Sequence, residues 1–471
     1  MGYREKVVLF FYTLFNAIAN QFIKLYSDET YYWVWSQKLS LSYFDHPPMV
    51  AYMIKMTTLF SDEPFFVRLP AVLLVSATAY ILYTLARKMF DEKTAIYTFY
   101  IFLSTVFVLA ASTVIAPDIP LVFFWALTLY SGYMYVEEDH KKYALLTGLS
   151  AGGMLLSKYP GVLPLLTLIV FVLIYRRDLL KDIYFYLALF IATVVFMPVL
   201  LWNYQYDFIS FAFQFSHGIA EEKVFQGKYF YGFVASQFAL FHPLYLLPLF
   251  YFIIRDKERF ERKKVYLLLP FLPVVGFFTY NSVYTEANPQ WAAGAYLSAS
   301  VLLGYYFAKH NMRKLMATAL VSSLVVLVAL KTPLNDYIPP LKRFHDKLGI
   351  VDNFDAEIKG LKLDVDSYDY LLIDDYHGSD VAYYLRRSDN LLLLSSARFS
   401  QYNVWRHEEL GITMDRDITT IPKLGKVLYI SNNPGHVADI RKLFKTYKEM
   451  GHYKKKVGRK DYQYIVAELE N

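Results

Sequence analysis

Three carboxylates and a histidine lie close together in an aromatic-rich stretch near the amino terminus: Asp28, Glu29, Asp45 and His46. The stretch separates two very apolar segments, and charged groups at a membrane boundary are costly to desolvate. A cluster of this kind favours a functional site, in which carboxylates can accept protons and cations can balance negative charge. The rest of the chain is interpreted as the scaffold that presents it.

Asp28 and Glu29 are expected to do different work, because adjacent helical positions point about 100° apart. One of them can face a cavity while the other orients it or binds a cation, and both are catalytic candidates. The alternative is a helix cap, since Ser27 and Asp28 stand just before an apolar aromatic run. A second pair of titratable residues nearby, Asp45 and His46, favours the functional site over the helix cap.

A rigid turn follows at Asp45-His46-Pro47-Pro48, because paired prolines restrict the backbone and favour an extended His46. Three roles fit His46: a cation that faces a phosphate, a metal ligand, or a hydrogen-bonded structural histidine. The oxygens of Asp28, Glu29 and Asp45 suit a hard divalent ion, and with His46 these residues are the metal candidates. Their spacing follows no fixed ligand rule, so a metal requirement is left open.

Further candidates for substrate binding occur later in the chain. Asp118 opens an apolar segment, and it either caps that helix or lines the same outer cavity. Lys158 either extends to lipid headgroups or binds an anionic substrate headgroup. Trp291 follows Asn288 and Gln290 in a polar and aromatic cluster.

Membrane-spanning helices must position these residues. Apolar segments of about 17–25 residues cross a bilayer, and the sequence predicts about eleven, at 7–24, 66–86, 94–111, 118–136, 143–157, 161–175, 183–202, 231–254, 265–281, 290–308 and 314–331. Phe208, Phe211 and Phe215 recur at helical spacing, which predicts an outer helix between residues 203 and 230. It either lies in the interface or packs aromatic rings at headgroup level. The predicted fold is a polytopic α-helical membrane protein with outer juxtamembrane helices.

Lysine and arginine are distributed unevenly over the predicted connections, nineteen on one side against six on the other before the carboxyl-terminal tail. The richer side is expected to face the cytoplasm. The Asp28 loop, the 203–230 and 281–289 loops and the tail are then outside. The sequence thus predicts a multi-pass protein of the cytoplasmic (inner) membrane whose site and tail are extracytoplasmic.

The tail changes character at about residue 333. Strands are predicted at 368–374, 391–394, 426–430 and 462–469, with helices at 379–387 and 436–450. This alternation is typical of a small α/β domain. Two domains are therefore expected, a transmembrane catalytic domain over 1–332 and an extracytoplasmic soluble α/β domain over 333–471.

Composition supports the membrane class and excludes others. Charged residues make up only 19% of the chain and hydrophobic residues 56%, whereas a soluble domain carries about 25% charge. The net charge of +6 comes from short basic clusters between apolar segments, so a nucleic-acid partner is excluded. Cysteine is absent, which excludes disulfides and thiol chemistry. The first apolar segment has no convincing cleavage site and is interpreted as a retained helix.

The motifs resemble a known superfamily. Asp28-Glu29 with Tyr32, then Tyr43-Phe44-Asp45-His46-Pro47-Pro48, resembles the first external loop of GT-C glycosyltransferases. The closer likeness is to the branch of protein O-mannosyltransferases, lipid A aminoarabinose transferases and lipopolysaccharide galacturonic acid transferases. Weaker matches are Pro117-Asp118, Ser157-Lys158-Tyr159, Trp202-Asn203 with Ser210-Phe211, Asn288-Pro289-Gln290-Trp291 and Ser400-Gln401-Tyr402-Asn403-Val404-Trp405.

The resemblance implies transfer of a sugar from a polyprenyl-phosphate carrier to lipid A, another envelope glycolipid or a protein, on the outer face of the membrane. By this likeness Asp28 is the catalytic acidic residue, and Tyr32 belongs to the same site. An ionised Asp28 would take the acceptor's proton while Lys158 and His46 balance the leaving phosphate, with inversion at the anomeric carbon. Aminoarabinose transferases carry lysine where this chain has His46, so the donor sugar is left open.

A membrane transporter or lipid flippase is the main alternative. Transporters often show internal repeats, broken helices and ionisable groups at the membrane midplane. Here the acidic residues fall at the outer ends of predicted spans, and an α/β domain follows. The pattern therefore favours the transferase.

Overall fold

The computed structural model describes residues 1–218, 224–331, 363–374, 376–394, 398–415, 421–431, 434–457 and 460–470. The chain divides into two compact units. The helical unit contains Met1–Asn20, Leu41–Val50 and Arg68–Val328, and the sheet unit contains Gln21–Ser40, Ala51–Val67 and Ala329–Asn471. The stretch with Asp28 and Glu29 thus belongs to the sheet unit, whereas Asp45 and His46 belong to the helical unit.

Sixteen α-helices are described up to residue 331. In chain order they are α1 (Tyr3–Asn20), α2 (Ser27–Gln37), α3 (Met49–Thr58), α4 (Pro64–Met89), α5 (Glu92–Leu103), α6 (Val106–Ala111), α7 (Asp118–Val136), α8 (Lys142–Ser157), α9 (Val162–Tyr175), α10 (Ile183–Gln205), α11 (Ile209–Gly218), α12 (Gly227–Phe241), α13 (Pro243–Arg255), α14 (Arg262–Asn281), α15 (Tyr296–Lys309) and α16 (Arg313–Lys331).

Four of these helices are long and apolar enough to cross a membrane: α4, α7, α10 and α14. The pair α12 and α13 would make a fifth span, although it bends by 99° at the break. These apolar helices agree with the predicted polytopic membrane fold. The count of about eleven spans stays a prediction.

Two predicted segments are broken rather than continuous. The segment 94–111 divides into α5 and α6 at Ser104 and Thr105, where the Thr105 hydroxyl accepts a hydrogen bond from the Val108 amide at 3.4 Å and so starts a new helix. The segment 231–254 divides at His242, which has a φ of 90°. Pro243 follows and lacks an amide hydrogen, which removes one helical hydrogen bond at the break and makes it the first residue of the next helix.

Glycines bring α8 close to α10. A Cβ at Gly148 would lie 2.6 Å from the Ala188 carbonyl oxygen, and one at Gly152 would lie 2.5 Å from Val195 Cβ. Only glycine permits this approach without a shift of the neighbouring helix, and small residues are common where membrane helices pack closely. The close packing fixes the end of α8, which Lys158 follows directly.

The predicted helix between residues 203 and 230 is confirmed as α11. Its phenylalanines are not all inside the protein, since Phe215 is 70% exposed and Phe208, just before the helix, is 47% exposed. The inner side of α11 carries polar groups that hold the Asp45 turn, as described below.

The sheet unit contains a five-stranded sheet. Its strands are β1 (Tyr370–Ile373), β2 (Leu391–Leu393), β3 (Lys426–Ser431), β4 (Thr446–Val457) and β5 (Lys460–Glu470), and its later helices are α17 (Ser379–Tyr384), α18 (Gln401–Leu410) and α19 (Pro434–Leu443). The order is β2-β1-β3-β5-β4, with β1 parallel to β2 and β3, and β5 antiparallel to β3 and β4. Leu372, Val427, Tyr429, Ile440 and Leu469 contribute to its buried core.

The predicted helix at 436–450 is wrong in its second half. The helix ends at Leu443, and strand β4 begins at Thr446. From there the backbone pairs with β5, with Tyr447 opposite Leu469. Pairing with the strand that follows in the chain overrides the local helical pattern.

Candidate active site

Helix α2 presents the Asp28–Glu29 pair. The helix begins at Ser27, and the Glu29 carboxylate accepts a hydrogen bond from the Tyr26 amide at 2.9 Å, which caps its first turn. Glu29 is fully buried, whereas Asp28 is half-buried. The Glu29 carboxylate is thus bonded to the backbone, and Asp28 is the more exposed member of the pair.

A carboxylate from the carboxyl-terminal part of the chain joins this turn. Asp380, at the start of α17, is 7% exposed and accepts hydrogen bonds from Ser27 Oγ at 2.8 Å and Thr30 Oγ1 at 2.6 Å. These residues lie on either side of Asp28 and Glu29 in sequence. Nothing in the local sequence links residues some 350 positions apart, so the sequence analysis missed Asp380.

Aromatic side chains fill the space along α2. The Tyr31 ring lies 5.3 Å from that of Tyr376 and 5.6 Å from that of Tyr402. The Tyr32 ring lies 5.1 Å from Trp35 in an edge-to-face arrangement and is 7% exposed. Such pairs contribute about 0.5–1.5 kcal/mol beyond their buried area. The predicted substrate-binding residue Tyr32 is therefore mostly held within this packing.

Asp118 and Lys158 form a buried ion pair in the helical unit. Lys158 Nζ donates to both carboxylate oxygens of Asp118 at 2.8 and 2.9 Å, and the two residues are 5% and 6% exposed. Lys158 therefore does not extend to lipid headgroups, and the oxygens of Asp118 bond to an ammonium rather than to its own helix. Since the two charges cancel, the pair presents no net charge while both groups are ionised.

A series of hydrogen bonds begins at Tyr159, the residue after Lys158. Tyr159 Oη is 2.7 Å from Ser210 Oγ, which donates to the Phe44 carbonyl oxygen at 2.7 Å. Asn203 Nδ2 donates to Tyr159 Oη at 3.5 Å, and Asn203 Oδ1 accepts from the Phe211 amide at 3.3 Å. Burial raises the pKa of Tyr159, so its hydroxyl keeps its proton. Motifs from four separate segments thus meet in the helical unit.

Helix α11 also supports the Asp45–His46 turn. Gln214 Nε2 donates to the Asp45 carbonyl oxygen at 2.8 Å, and the Phe213 ring lies 4.7 Å from that of Phe44. Asp45 is 4% exposed, whereas His46 is half-buried. The sequence analysis did not select Gln214, although its place on the predicted outer helix was a usable signal.

Trp291 lies in a 3₁₀ helix, Pro289–Ala295, in the helical unit. Its ring is 5.9 Å from that of Phe278 on α14. Gln237 Nε2 donates to the Pro289 carbonyl oxygen at 3.2 Å and so fastens this segment to α12. Trp291 is partly buried and packs on the end of an apolar helix.

The metal candidates do not form a ligand set. Across the described ranges, no three histidine, aspartate or glutamate side chains gather as a divalent ion requires. Glu29 bonds to the backbone of its own helix, and Asp45 is nearly fully buried. The residues present therefore do not fit a bound divalent ion.

Comparison with protein families and curated proteins yields two matches. Residues 45–202 match the family described as dolichyl-phosphate-mannose-protein mannosyltransferase, and this range contains Asp45, His46, Asp118 and Lys158. A curated relative, the lipid A galacturonosyltransferase RgtD of Rhizobium johnstonii, is 27% identical over 304 residues. The match covers 62% of this chain and 63% of that protein, so the chain spans less than two thirds of the length of this relative.

Comparison with solved structures covers nearly the whole chain. The apo structure of ArnT from Cupriavidus metallidurans is similar with a TM-score of 0.71 and 14% identity, over 98% of this chain and 97% of that one. The structure of the same protein bound to undecaprenyl phosphate gives a TM-score of 0.69 with the same identity and coverage. At this identity the likeness shows the fold. The chain is thus similar in fold to ArnT over nearly its whole length, and the mannosyltransferase family model matches its residues 45–202.

Proposed function

We propose that this protein is an inverting glycosyltransferase that moves a sugar from a polyprenyl-phosphate carrier to an acceptor on the outer face of the membrane. The match of residues 45–202 to a mannosyltransferase family and the likeness in fold to ArnT support the reaction class. The carrier is suggested by a structural neighbour that binds undecaprenyl phosphate. Lipid A is the acceptor we favour, because the curated relative is a lipid A galacturonosyltransferase. Another envelope glycolipid or a protein is the alternative acceptor.

The assignment of the base rests on one observation. Of the four predicted carboxylates, Glu29, Asp45 and Asp118 are buried, whereas Asp28 is half-buried at the start of a helix. A base must come within hydrogen-bond reach of the hydroxyl that it deprotonates. Asp28 is therefore the group proposed to accept the acceptor's proton.

The proposed reaction is a single in-line displacement. The acceptor oxygen attacks the anomeric carbon while Asp28 takes its proton, and the bond between that carbon and the phosphate oxygen breaks. The electron pair leaves with the carrier phosphate, which needs no proton. The anomeric configuration inverts as a result.

Positive charge is proposed to receive the leaving phosphate. Lys158 has three N–H groups and gives two of them to Asp118, so one remains for a substrate oxygen. The neutral Asp118–Lys158 pair cannot by itself balance a phosphate charge. His46, half-buried on a turn that α11 holds, is proposed to add that charge in its protonated form.

An apolar groove in the helical unit is proposed to hold the isoprenoid tail. The groove has a volume of about 440 Å³ and lies where α12 and α13 bend against α14. Its lining residues are Phe230, Phe250, Leu272, Val275, Gly276, Thr279, Tyr280 and Val283. An apolar chain placed there is removed from water, at about 25 cal/mol per Å² of apolar surface.

A reconstituted transfer assay tests the proposal against transport. The protein is placed in liposomes with lipid A and with undecaprenyl phosphate linked to radiolabelled galacturonic acid or aminoarabinose. The proposal predicts that label leaves the carrier and becomes bound to lipid A, and mass spectrometry of the product identifies the sugar. Movement of the intact labelled carrier between leaflets, with no transfer, would instead establish a flippase.

A chelation assay tests whether the reaction requires a metal ion. The same assay is run after dialysis against EDTA and again after addition of Mg²⁺, Mn²⁺ or Zn²⁺. Because the described carboxylates form no ligand set, we expect full activity in the chelator. Loss of activity in EDTA that a single ion restores would establish an essential metal.

A further inference from the structure

The first turn of α2 is held by side chains on both sides of Asp28. Ser27 precedes Asp28 and Thr30 follows two positions later, and both hydroxyls donate to the Asp380 carboxylate. The distances of 2.8 and 2.6 Å are those of charge-assisted hydrogen bonds, which are about twice as strong as neutral ones. One buried carboxylate therefore anchors the turn that carries the proposed base.

A second observation places Asp380 near Asp28. Burial raises the pKa of Tyr26, and the charges of Asp28 and Asp380 raise it further. Tyr26 is the residue whose backbone amide the Glu29 carboxylate caps. The two aspartates thus act on the same neighbouring hydroxyl, at the end of the helix where negative charge is favoured.

Other contacts hold α2 further along the helix, at Trp33 among other residues. Trp33 Nε1 donates to Asp62 Oδ1 at 2.8 Å, and the Trp33 ring meets that of Tyr383 at 5.1 Å. These contacts hold the axis of the helix. The Asp380 contact holds the first turn, from which the Asp28 side chain projects.

We infer that Asp380 is a positioning residue for glycosyl transfer: through the hydroxyls of Ser27 and Thr30 it aims the Asp28 carboxylate at the acceptor hydroxyl. This inference rests on the proposed function. A displacement of about 1 Å at a reacting group can cost about 100-fold in rate. Asp380 therefore controls turnover, and substrate affinity depends on other residues.

Steady-state kinetics of purified variants tests this role. Asp380→Asn keeps the shape and one acceptor oxygen, and we expect kcat to fall about 10-fold while the KM values for donor and acceptor change less than twofold. Asp380→Ala removes both hydrogen bonds, and we expect a loss in kcat of about 100-fold. Asp380→Glu, which restores a carboxylate, should recover part of kcat.

A mutant cycle asks whether the carboxylate acts through the two hydroxyls. Ser27→Ala combined with Thr30→Val removes both hydrogen bonds and should lower kcat about as much as Asp380→Ala does. Adding Asp380→Ala to that pair should then cause no further loss. Multiplied losses in the triple variant would show that Asp380 works by another route, and this would overturn the inference.

Asp62→Asn is the matched control, because it weakens a different carboxylate anchor of the same helix. We expect it to lower the stability of the protein and leave kcat within about twofold. An equal loss of kcat in Asp62→Asn and Asp380→Asn would contradict a specific role for Asp380.

The outcomes also separate this inference from the proposed function. If the wild-type protein transfers no sugar from undecaprenyl phosphate, the proposed function fails. If the wild type is active, Asp28→Asn is inactive and Asp380→Asn is unchanged in kcat, the proposed function stands and the role of Asp380 is refuted.

Discussion

Replacing Lys158 by methionine leaves the Asp118 carboxylate buried without its cation. The pair is bidentate at 2.8 and 2.9 Å, with side chains 6% and 9% exposed. Breaking a buried ion pair by removing one partner costs about 3–5 kcal/mol, because the remaining charge stays desolvated. We expect Lys158→Met to lose stability in this range, and Asp118→Asn to lose a comparable amount.

The double variant provides the decisive comparison. Asp118→Asn with Lys158→Met removes both charges and keeps similar volumes, and such replacements are often neutral or stabilising. The double variant should therefore be more stable than Lys158→Met alone by at least about 2 kcal/mol. An exposed pair, Lys442 with Asp439 at 2.7 Å, should show a much weaker coupling, because water screens both charges.

Unfolding in mixed micelles of dodecyl maltoside and SDS is followed by tryptophan fluorescence. It gives the free energy of unfolding of the wild type, the two single variants and the double variant. Transfer kinetics on the same samples gives the donor KM, which should rise more than the acceptor KM in Lys158→Met if the third N–H of Lys158 meets the phosphate. A cost below about 1 kcal/mol for Lys158→Met would refute a buried pair. Unchanged donor kinetics would exclude the phosphate contact.

Three further predictions concern other parts of the chain. Glu29→Gln keeps an acceptor oxygen for the Tyr26 amide and should retain stability, whereas Glu29→Ala should lose about 1 kcal/mol in the same unfolding assay; equal losses would contradict the cap. Gly276→Leu adds a side chain to the proposed groove at a position where nothing lies within 4 Å, and it should raise the KM for a long-chain donor but not for a short-chain donor. Gly232 is equally unobstructed but is not a lining residue of the groove, so Gly232→Leu should leave both KM values unchanged. Hydrogen bonds from Arg176 lower the pKa of Asp178, so this pair stabilises the fold above pH about 4 and loses that effect as pH falls through the lowered pKa. The difference in unfolding free energy between wild type and Asp178→Asn, at most about 1 kcal/mol for an exposed pair, should therefore be present at pH 6 and shrink towards pH 3.

Hydropathy predicts some helices of this chain, but it predicts neither the breaks within them nor the pairing of the strands. Helices such as α7 and α10 follow from sustained apolar segments, because a bilayer requires that length and composition. The 99° bend between α12 and α13 was not predicted, although Pro243 was a local signal for it. The helix predicted at 436–450 extends into the start of strand β4, where the structure instead pairs the backbone with β5.

In the candidate site, the sequence indicates the residues but not their contacts. Asp28, Glu29, Asp118 and Lys158 could be selected from their types and positions alone. Their partners could not be, since the pairing of Asp118 with Lys158 spans 40 residues and follows from helix packing. The contact of Asp380 with the first turn of α2 spans some 350 residues and has no local signal. Sequence patterns therefore select candidate residues, and tertiary packing decides which groups each of them contacts.

The central claim is that Asp28 accepts the proton of the attacking hydroxyl group. The most direct test measures single-turnover transfer from undecaprenyl-phosphate-linked sugar by Asp28→Asn, alongside binding of the same donor. The account predicts a fall in transfer of about 100-fold or more, the usual contribution of a general base, with donor affinity within about twofold of wild type. Transfer at a near-normal rate by Asp28→Asn would contradict it.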